Sequence, residues 1–227
     1  MILYDLVNAR GAHFSPNSWR VRLALLHKGI PFEVRDVLFT TIADIAPGEK
    51  LTIPTIAHGG VRVTDSWAIA GHLDAAFPDT PRLISGGSDG HLMHFFQFWV
   101  QTTLHAQIAR QILLDVHDSL DSADQAYFRA SREKMYKQTL EEVQAGREER
   151  LEAFRRSLQP LRLALGSSSP YIGGAQPCYA DYLAFGAFQW ARVSSRHALL
   201  APDDVVHAWF ERCLDLYDGA GRREPAA

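Results

Sequence analysis

Cysteine is scarce in this 227-residue chain: Cys178 and Cys213 are the two it has. Two thiols are too few for a disulfide framework or a zinc cluster, and a reducing cytoplasm is the expected setting. No apolar run approaches the roughly 20 residues of a membrane span. The opening MILYDLVNARG lacks the basic-then-apolar order of a secretory signal. Neither sign of charge dominates: 23 Lys and Arg against 26 Asp and Glu leave −3 at pH 7, so no nucleic-acid footprint is expected. Internal repeats are absent. The ten histidines are scattered. His91 and His94 are a pair at helical spacing, but no ligand set completes around them, and no metal is expected. What remains is an ordinary globular composition, 47% hydrophobic and 22% charged, with enough length to bury a real core.

The two halves of the chain are patterned differently. In the first, Ile2–Leu6 reads as a short apolar strand, broken by Gly11 and a polar knot, Ser15-Pro16-Asn17-Ser18. Helical periodicity follows from Trp19 to His27, with Trp19, Leu23 and Leu26 on one stripe and Arg20 and Arg22 directed elsewhere. Gly29 sits where a helix C′ residue belongs, and Pro31 follows. Phe32–Val37 alternates as a second strand. Thr52–Ala57 is a third, His58-Gly59-Gly60 a turn, and Val61–Val63 a fourth. Asp65-Ser66 caps a helix from Trp67 to about Phe77. That is a small α/β unit over residues 1–81. The segment PDTPRLISGGSDG supplies a linker at 82–90. Residues 91–227 show no strand pattern. Helices are expected over His91 to about Val116, Ser131 to about Leu165, Asp181 to about Ser194 and Asp203 to Tyr217. The charge run EEVQAGREERLEAFRRSL is a solvated face, and the tail GAGRREPAA is expected to fray.

A strand that runs into Ser15 at a helix start admits two readings. Ser15 is a favoured N-cap. Alternatively, the helix start is a binding site. Taken singly, Pro54 is an edge-strand proline and Asp65-Ser66 a second cap. Together with Ser15 they favour the binding site, because two neighbouring helix N-termini make a ready place for carboxylates.

A small α/β domain followed by a helical one, with this strand-to-helix knot, resembles the glutathione transferase superfamily. Four segments carry the likeness: Ser15-Pro16-Asn17-Ser18-Trp19-Arg20-Val21-Arg22, Ile53-Pro54, Asp65-Ser66 and Cys178-Tyr179-Ala180-Asp181. The resemblance implies a thioredoxin-like first domain and an all-α second domain. It implies glutathione as co-substrate, and Ser15 at the catalytic position with Asn17 and Ser18 as further donors. A cis bond before Pro54 is implied, with the Ile53 backbone paired to the cysteinyl part. Asp65 and Ser66 would hold the γ-glutamyl end, and Lys50 is a candidate for the glycine carboxylate. Cys178 departs from the pattern, since a hydroxyl is expected at that cap. His13, Phe14, Trp99 and Trp190 are candidates for an acceptor pocket, and a homodimer is implied. The segments SPNSWRVRLALLHKGIPFE, LFTTI, DSWAIAGHLDAAFPD and YFRASREKMYKQTLEEV further resemble the glutathione-dependent β-etherases of lignin-degrading bacteria and the etherase-type transferases of fungi. This suggests a small aromatic electrophile as acceptor. A zeta-like isomerase of unsaturated diacids and a non-catalytic binder of aromatic compounds are the alternatives.

The chemistry is coherent with the residue types. A free cysteinyl thiol has a pKa of about 8.5, and moving it to about 7 needs roughly 2 kcal/mol of extra thiolate stabilisation. A hydroxyl donor and a helix N-terminus carrying about half a positive charge can supply that. A serine cannot form a mixed disulfide, and Asn17 leaves no resolving cysteine, so thiol–disulfide exchange is disfavoured.

Overall fold

The computed structural model describes residues 1–166 and 169–227. The first unit runs β1 (Ile2–Leu6), α1 (Pro16–His27), β2 (Glu33–Val37), a 3₁₀ turn (Phe39–Ile45), β3 (Thr55–His58), β4 (Val61–Thr64) and α2 (Ser66–Ala76). Its sheet has the order β2-β1-β3-β4. β1 lies parallel to β2, with Leu6 opposite Val37, and antiparallel to β3, with Leu3 opposite Ile56. The β3–β4 hairpin closes through Gly59 (φ 58°) and Gly60 (φ 83°), a pair of left-handed residues that matches the twist of the strands. This is the thioredoxin-like unit the sequence predicts.

The second unit is helical. α3 (Ser88–Trp99) passes through a π turn (Val100–His105) into α4 (Ala106–Ser119), so the helix read from His91 to Val116 is one path with a widened turn in its middle. The stretch from Ser131 to Leu165 is not one rod. It belongs to α5 (Ser122–Tyr136), α6 (Leu140–Gln144), α7 (Arg147–Ser157) and α8 (Gln159–Leu165). The breaks have local causes: left-handed Lys137, the Thr139 capping box with Glu142, and left-handed Gly146. α9 (Tyr179–Ser194), α10 (Val205–Leu214) and α11 (Leu216–Arg223) complete the chain. Among the described residues, no helix is long and apolar enough to cross a membrane.

One sequence expectation, the frayed tail, is corrected, and two readings are sharpened. Arg20 and Arg22, read as lying off the Trp19, Leu23 and Leu26 stripe, do not face solvent there. α1 is sandwiched between the sheet and α9, so Arg20 is fully buried with Trp19, Val21 and Leu23, and Arg22 pairs with buried Asp5 at 2.9 Å. The linker is not loose: Asp74 accepts from the Leu83 and Ile84 N–H groups and from Lys28 Nζ. The tail is docked rather than frayed. Glu224 is buried and accepts the His13 N–H at 2.7 Å. The Ala227 N–H donates to the Arg192 carbonyl at 3.0 Å.

α9 is buried along nearly its whole length. Its first turn is organised by Asp181, fully buried, which accepts from the N–H groups of Ile172, Gly173 and Cys178 and from Trp209 Nε1. The carboxylate therefore carries the cap that Cys178, a weak acceptor, is ill-suited to carry alone. At its centre, Gly186 lets α9 approach the start of α1: a Cβ there would sit 2.3 Å from the Pro16 carbonyl oxygen. The first turn of α1 is thus gripped from below.

Candidate active site

Ser15 is the N-cap of α1, with extended backbone (φ −64°, ψ 120°) and Pro16 as the first helical residue. Its Oγ accepts the Ser18 N–H at 3.3 Å, which leaves its own hydroxyl proton to donate. Ser15 and Asn17 line a cavity of about 520 Å³ between the two units. Ser18 does not: it is fully buried, and it contributes to the knot through its backbone N–H. Ile53 lines the same cavity, and the Ile53–Pro54 bond is cis, as the sequence predicts. The residue before it is held from two sides. Thr52 N–H donates to Thr64 Oγ1 at 3.0 Å, and Thr55 Oγ1 donates to the Thr52 carbonyl at 2.7 Å.

Asp65 caps α2 in a left-handed conformation, φ 74°, which a non-glycine residue adopts only when its surroundings impose it. Its Oδ1 accepts both the Trp67 and Ala68 N–H groups at 3.0 Å. Both bonds use one oxygen, and the side chain is exposed. Ser66 is buried, and its carbonyl accepts the Tyr179 hydroxyl at 3.1 Å. A helix of the second unit therefore fixes the second helix start of the first. Lys50 is exposed on the loop before Ile53.

The opposite wall of the cavity is aromatic. Phe14 packs on Phe39 with centroids 6.1 Å apart, Phe39 on Phe128 at 5.8 Å, and Trp190 stands edge-on to His105 at 6.1 Å. Phe14 and Trp190 thus lie where the sequence reading sought an acceptor pocket. His13 and Trp99 lie elsewhere. His13 is bridged between Glu224 (3.1 Å) and Asp36 (3.0 Å); burial opposes its charge, but the Glu224 hydrogen bond and the Asp5 charge prevail, so its pKa is raised. Trp99 stacks on Phe96 at 5.5 Å.

Sequence reasoning missed Arg20, His105 and Arg132. Arg20 Nη2 lies 3.3 Å from His105 Nε2. A guanidinium only donates, so Nε2 is the lone-pair nitrogen and the imidazole proton sits on Nδ1. Burial, helped by the Arg20 charge, pushes the His105 pKa down to about 3. Arg132 enters the cavity from α5. The one signal available was the run of Arg20 inside an apolar helix stretch; His105 and Arg132 become neighbours of Ser15 only through tertiary contact.

Both thiols are inert for this site. Burial pushes Cys178 up to about 11 and raises Cys213 as well.

The comparisons with known proteins agree with this layout. Residues 14–76 match the family description "Glutathione S-transferase, N-terminal domain", and residues 91–215 match "Glutathione S-transferase, C-terminal domain". A glutathione S-transferase-like protein of Aspergillus flavus is 26% identical over 220 residues, covering 83% of this chain and 78% of its own. A glutathione S-transferase of Ceriporiopsis subvermispora, solved in complex with glutathione, superposes with a TM-score of 0.73 at 26% identity, covering 98% of this chain and 94% of that one. A glutathione transferase of Phanerochaete chrysosporium gives 0.67 at 28% identity, covering 100% and 98%. With both domains matched and the fold shared end to end, the chain belongs to the glutathione S-transferase family.

Proposed function

We propose that this protein binds glutathione along the Ser15, Ile53 and Asp65 edge and directs its thiolate at an electrophilic carbon of an aromatic acceptor in the adjoining cavity. The observation that carries the reading is one cavity lined at once by the α1 cap, by Ile53 and by an aromatic wall. Ser15 keeps a hydroxyl proton for the sulfur, assisted by the α1 N-terminus; Asn17 is the nearest alternative donor. Asp65 Oδ1 is committed to the helix, and its carboxylate takes the γ-glutamyl ammonium beside Ser66. The Ile53 backbone pairs with the cysteinyl unit, and Lys50 meets the glycine carboxylate. The protein works in a reducing cytoplasm.

The favoured reaction is cleavage of a β-aryl ether. Sulfur forms a bond to the carbon, the carbon–oxygen bond breaks, and the aryloxide leaves with the electron pair and is protonated to a phenol. An isomerase of unsaturated diacids would call for two cations at the acceptor, and Arg132 is the one arginine or lysine on the described wall. The deciding experiment is turnover of a model β-aryl ether with glutathione. The expected result is glutathione-dependent release of the phenol in step with a glutathione thioether. Tight binding of the ether without turnover would replace the enzyme by a carrier of aromatic compounds.

A homodimer is proposed as the working unit. Leu92, Phe95 and Phe98 stand 67%, 70% and 50% exposed on one side of α3, an apolar stripe at helical spacing that a second copy would cover. Light scattering should give twice 25.4 kDa; a monomer mass at micromolar concentration would reject it.

A further inference from the structure

Arg132 is the sole charged side chain among the described residues lining the cavity, apart from neutral His105. Its guanidinium carbon lies 4.8 Å from the Phe128 ring centre and 5.9 Å from that of Phe39. The two rings hold it in place, and they do not neutralise it. Of its five N–H donors, Nη1 reaches Ser131 Oγ at 3.0 Å. No carboxylate forms an ion pair with it among the described residues. The acids on the same helix are committed elsewhere: Asp124 accepts from Phe39 N–H, Thr40 N–H and Thr40 Oγ1, and Glu133 accepts from Arg129. The groups nearby are phenol hydroxyls, Tyr127 and Tyr136, and not carboxylates. Burial lowers the Arg132 pKa, and only those phenols counter it.

An unpaired guanidinium in an apolar wall is costly unless an anion completes it. Its planar fork suits a two-oxygen anion, and the rings beside it suit an aromatic body. We propose that Arg132 is an anion subsite of the acceptor cavity, and that the acceptors this protein prefers are aromatic carboxylic acids. The proposal rests on reading the cavity as the acceptor site, and it is independent of which bond glutathione attacks. A cavity of about 520 Å³ has room for a two-ring acid.

The test is equilibrium binding without glutathione, using 3-phenoxybenzoate and its neutral counterpart 3-phenoxybenzyl alcohol. The wild type should bind the acid at least about tenfold more tightly, the worth of one charge-assisted contact. Arg132→Gln should erase that preference while leaving the alcohol within about twofold. Arg132→Lys should keep part of it, since lysine retains the charge without the fork. Unchanged alcohol binding shows that the glutamine variant keeps its fold. Glutathione affinity, measured in parallel, should be the same in wild type and Arg132→Gln. Equal binding of the two compounds by the wild type, no binding of the acid, or a preference that survives Arg132→Gln would each overturn the proposal. So would a tenfold loss of glutathione affinity in Arg132→Gln, which would give the arginine to glutathione instead. Failure of the wild type to bind glutathione at all would sink the proposed reaction and leave the acid preference standing.

Discussion

The two walls of the cleft are built in opposite ways. On one side Ser15 and Ile53 are presented by backbone, a helix start and the loop before β3, each set by three or four consecutive residues; Asp65-Ser66, at the second helix start, is set the same way but lies outside the residues that line the cavity. On the other side Phe39, His105, Arg132 and Trp190 come from the 3₁₀ turn, the π turn, α5 and α9, and meet only when the helical unit folds. A wall made of local geometry tolerates little change in shape. A wall made of side chains on separate helices can change its chemistry one residue at a time. A constant co-substrate belongs on the first and a variable acceptor on the second.

The first way to break this contrast is to displace the local wall from a distance. Gly186→Ala places a methyl against the Pro16 carbonyl oxygen, 2.3 Å from where its Cβ would stand. Overpacking against backbone of this kind should cost about 3 kcal/mol or more. Thermal denaturation should show a melting point lowered by several degrees, and glutathione affinity should fall with it. A wild-type melting point would mean that the start of α1 is free to yield.

Asp65→Asn is the next largest. Asparagine still caps the helix, so the fold should hold, while the charge proposed to meet the ammonium is lost. Glutathione binding should weaken by about 1.5–3 kcal/mol, with little change in rate at saturation, because the contact is equal in ground and transition states. Calorimetry with glutathione that found wild-type affinity would remove Asp65 from the site.

The smallest effect concerns the docked tail. The Glu224 pKa is lowered: burial works to raise it, but hydrogen bonds from the His13 ring and N–H outweigh that. Its contribution to stability is present above the ordinary carboxylate value and fades as pH falls through the lowered one. His13, raised, contributes below its ordinary 6.5 and fades as pH rises through the raised value. The pair should therefore stabilise most between about pH 4.5 and 6.5. Glu224→Gln should cost about 1 kcal/mol there, and the gap in denaturant midpoints should narrow as pH rises through the raised His13 value. A gap independent of pH would mean that the tail is held by packing alone.

This contrast also explains what could be read in advance. The order of strands and helices was legible because turn residues and caps act over a few positions; the cis bond at Pro54 and the placement of Ser15 and Ile53 beside one cavity were legible only through the family resemblance of the segments around them. The burial of Arg20 was not legible, because the Trp19, Leu23 and Leu26 stripe marks one face of a helix that is covered on two sides. The frayed-tail expectation failed because nothing near Glu224 in sequence reveals His13 and Arg22 waiting for it. The run from Ser131 to Leu165 looked continuous because its breaks at Lys137 and Gly146 depend on backbone conformation rather than on proline. His13 was grouped with Phe14 by adjacency, yet successive residues of an extended segment point to opposite sides.

The central claim is that Ser15 and the α1 N-terminus activate the glutathione thiol. The direct measurement is the pH titration of thiolate absorbance for glutathione bound to wild type, Ser15→Ala and Asn17→Ala. Wild type should titrate near pH 7, below the roughly 8.5 of a free thiol. Ser15→Ala should shift that midpoint up by about one to two units, the equivalent of one donor to a charged sulfur, while glutathione affinity changes little. An unshifted midpoint in Ser15→Ala with a raised one in Asn17→Ala would contradict the assignment and move the donor two residues along the knot.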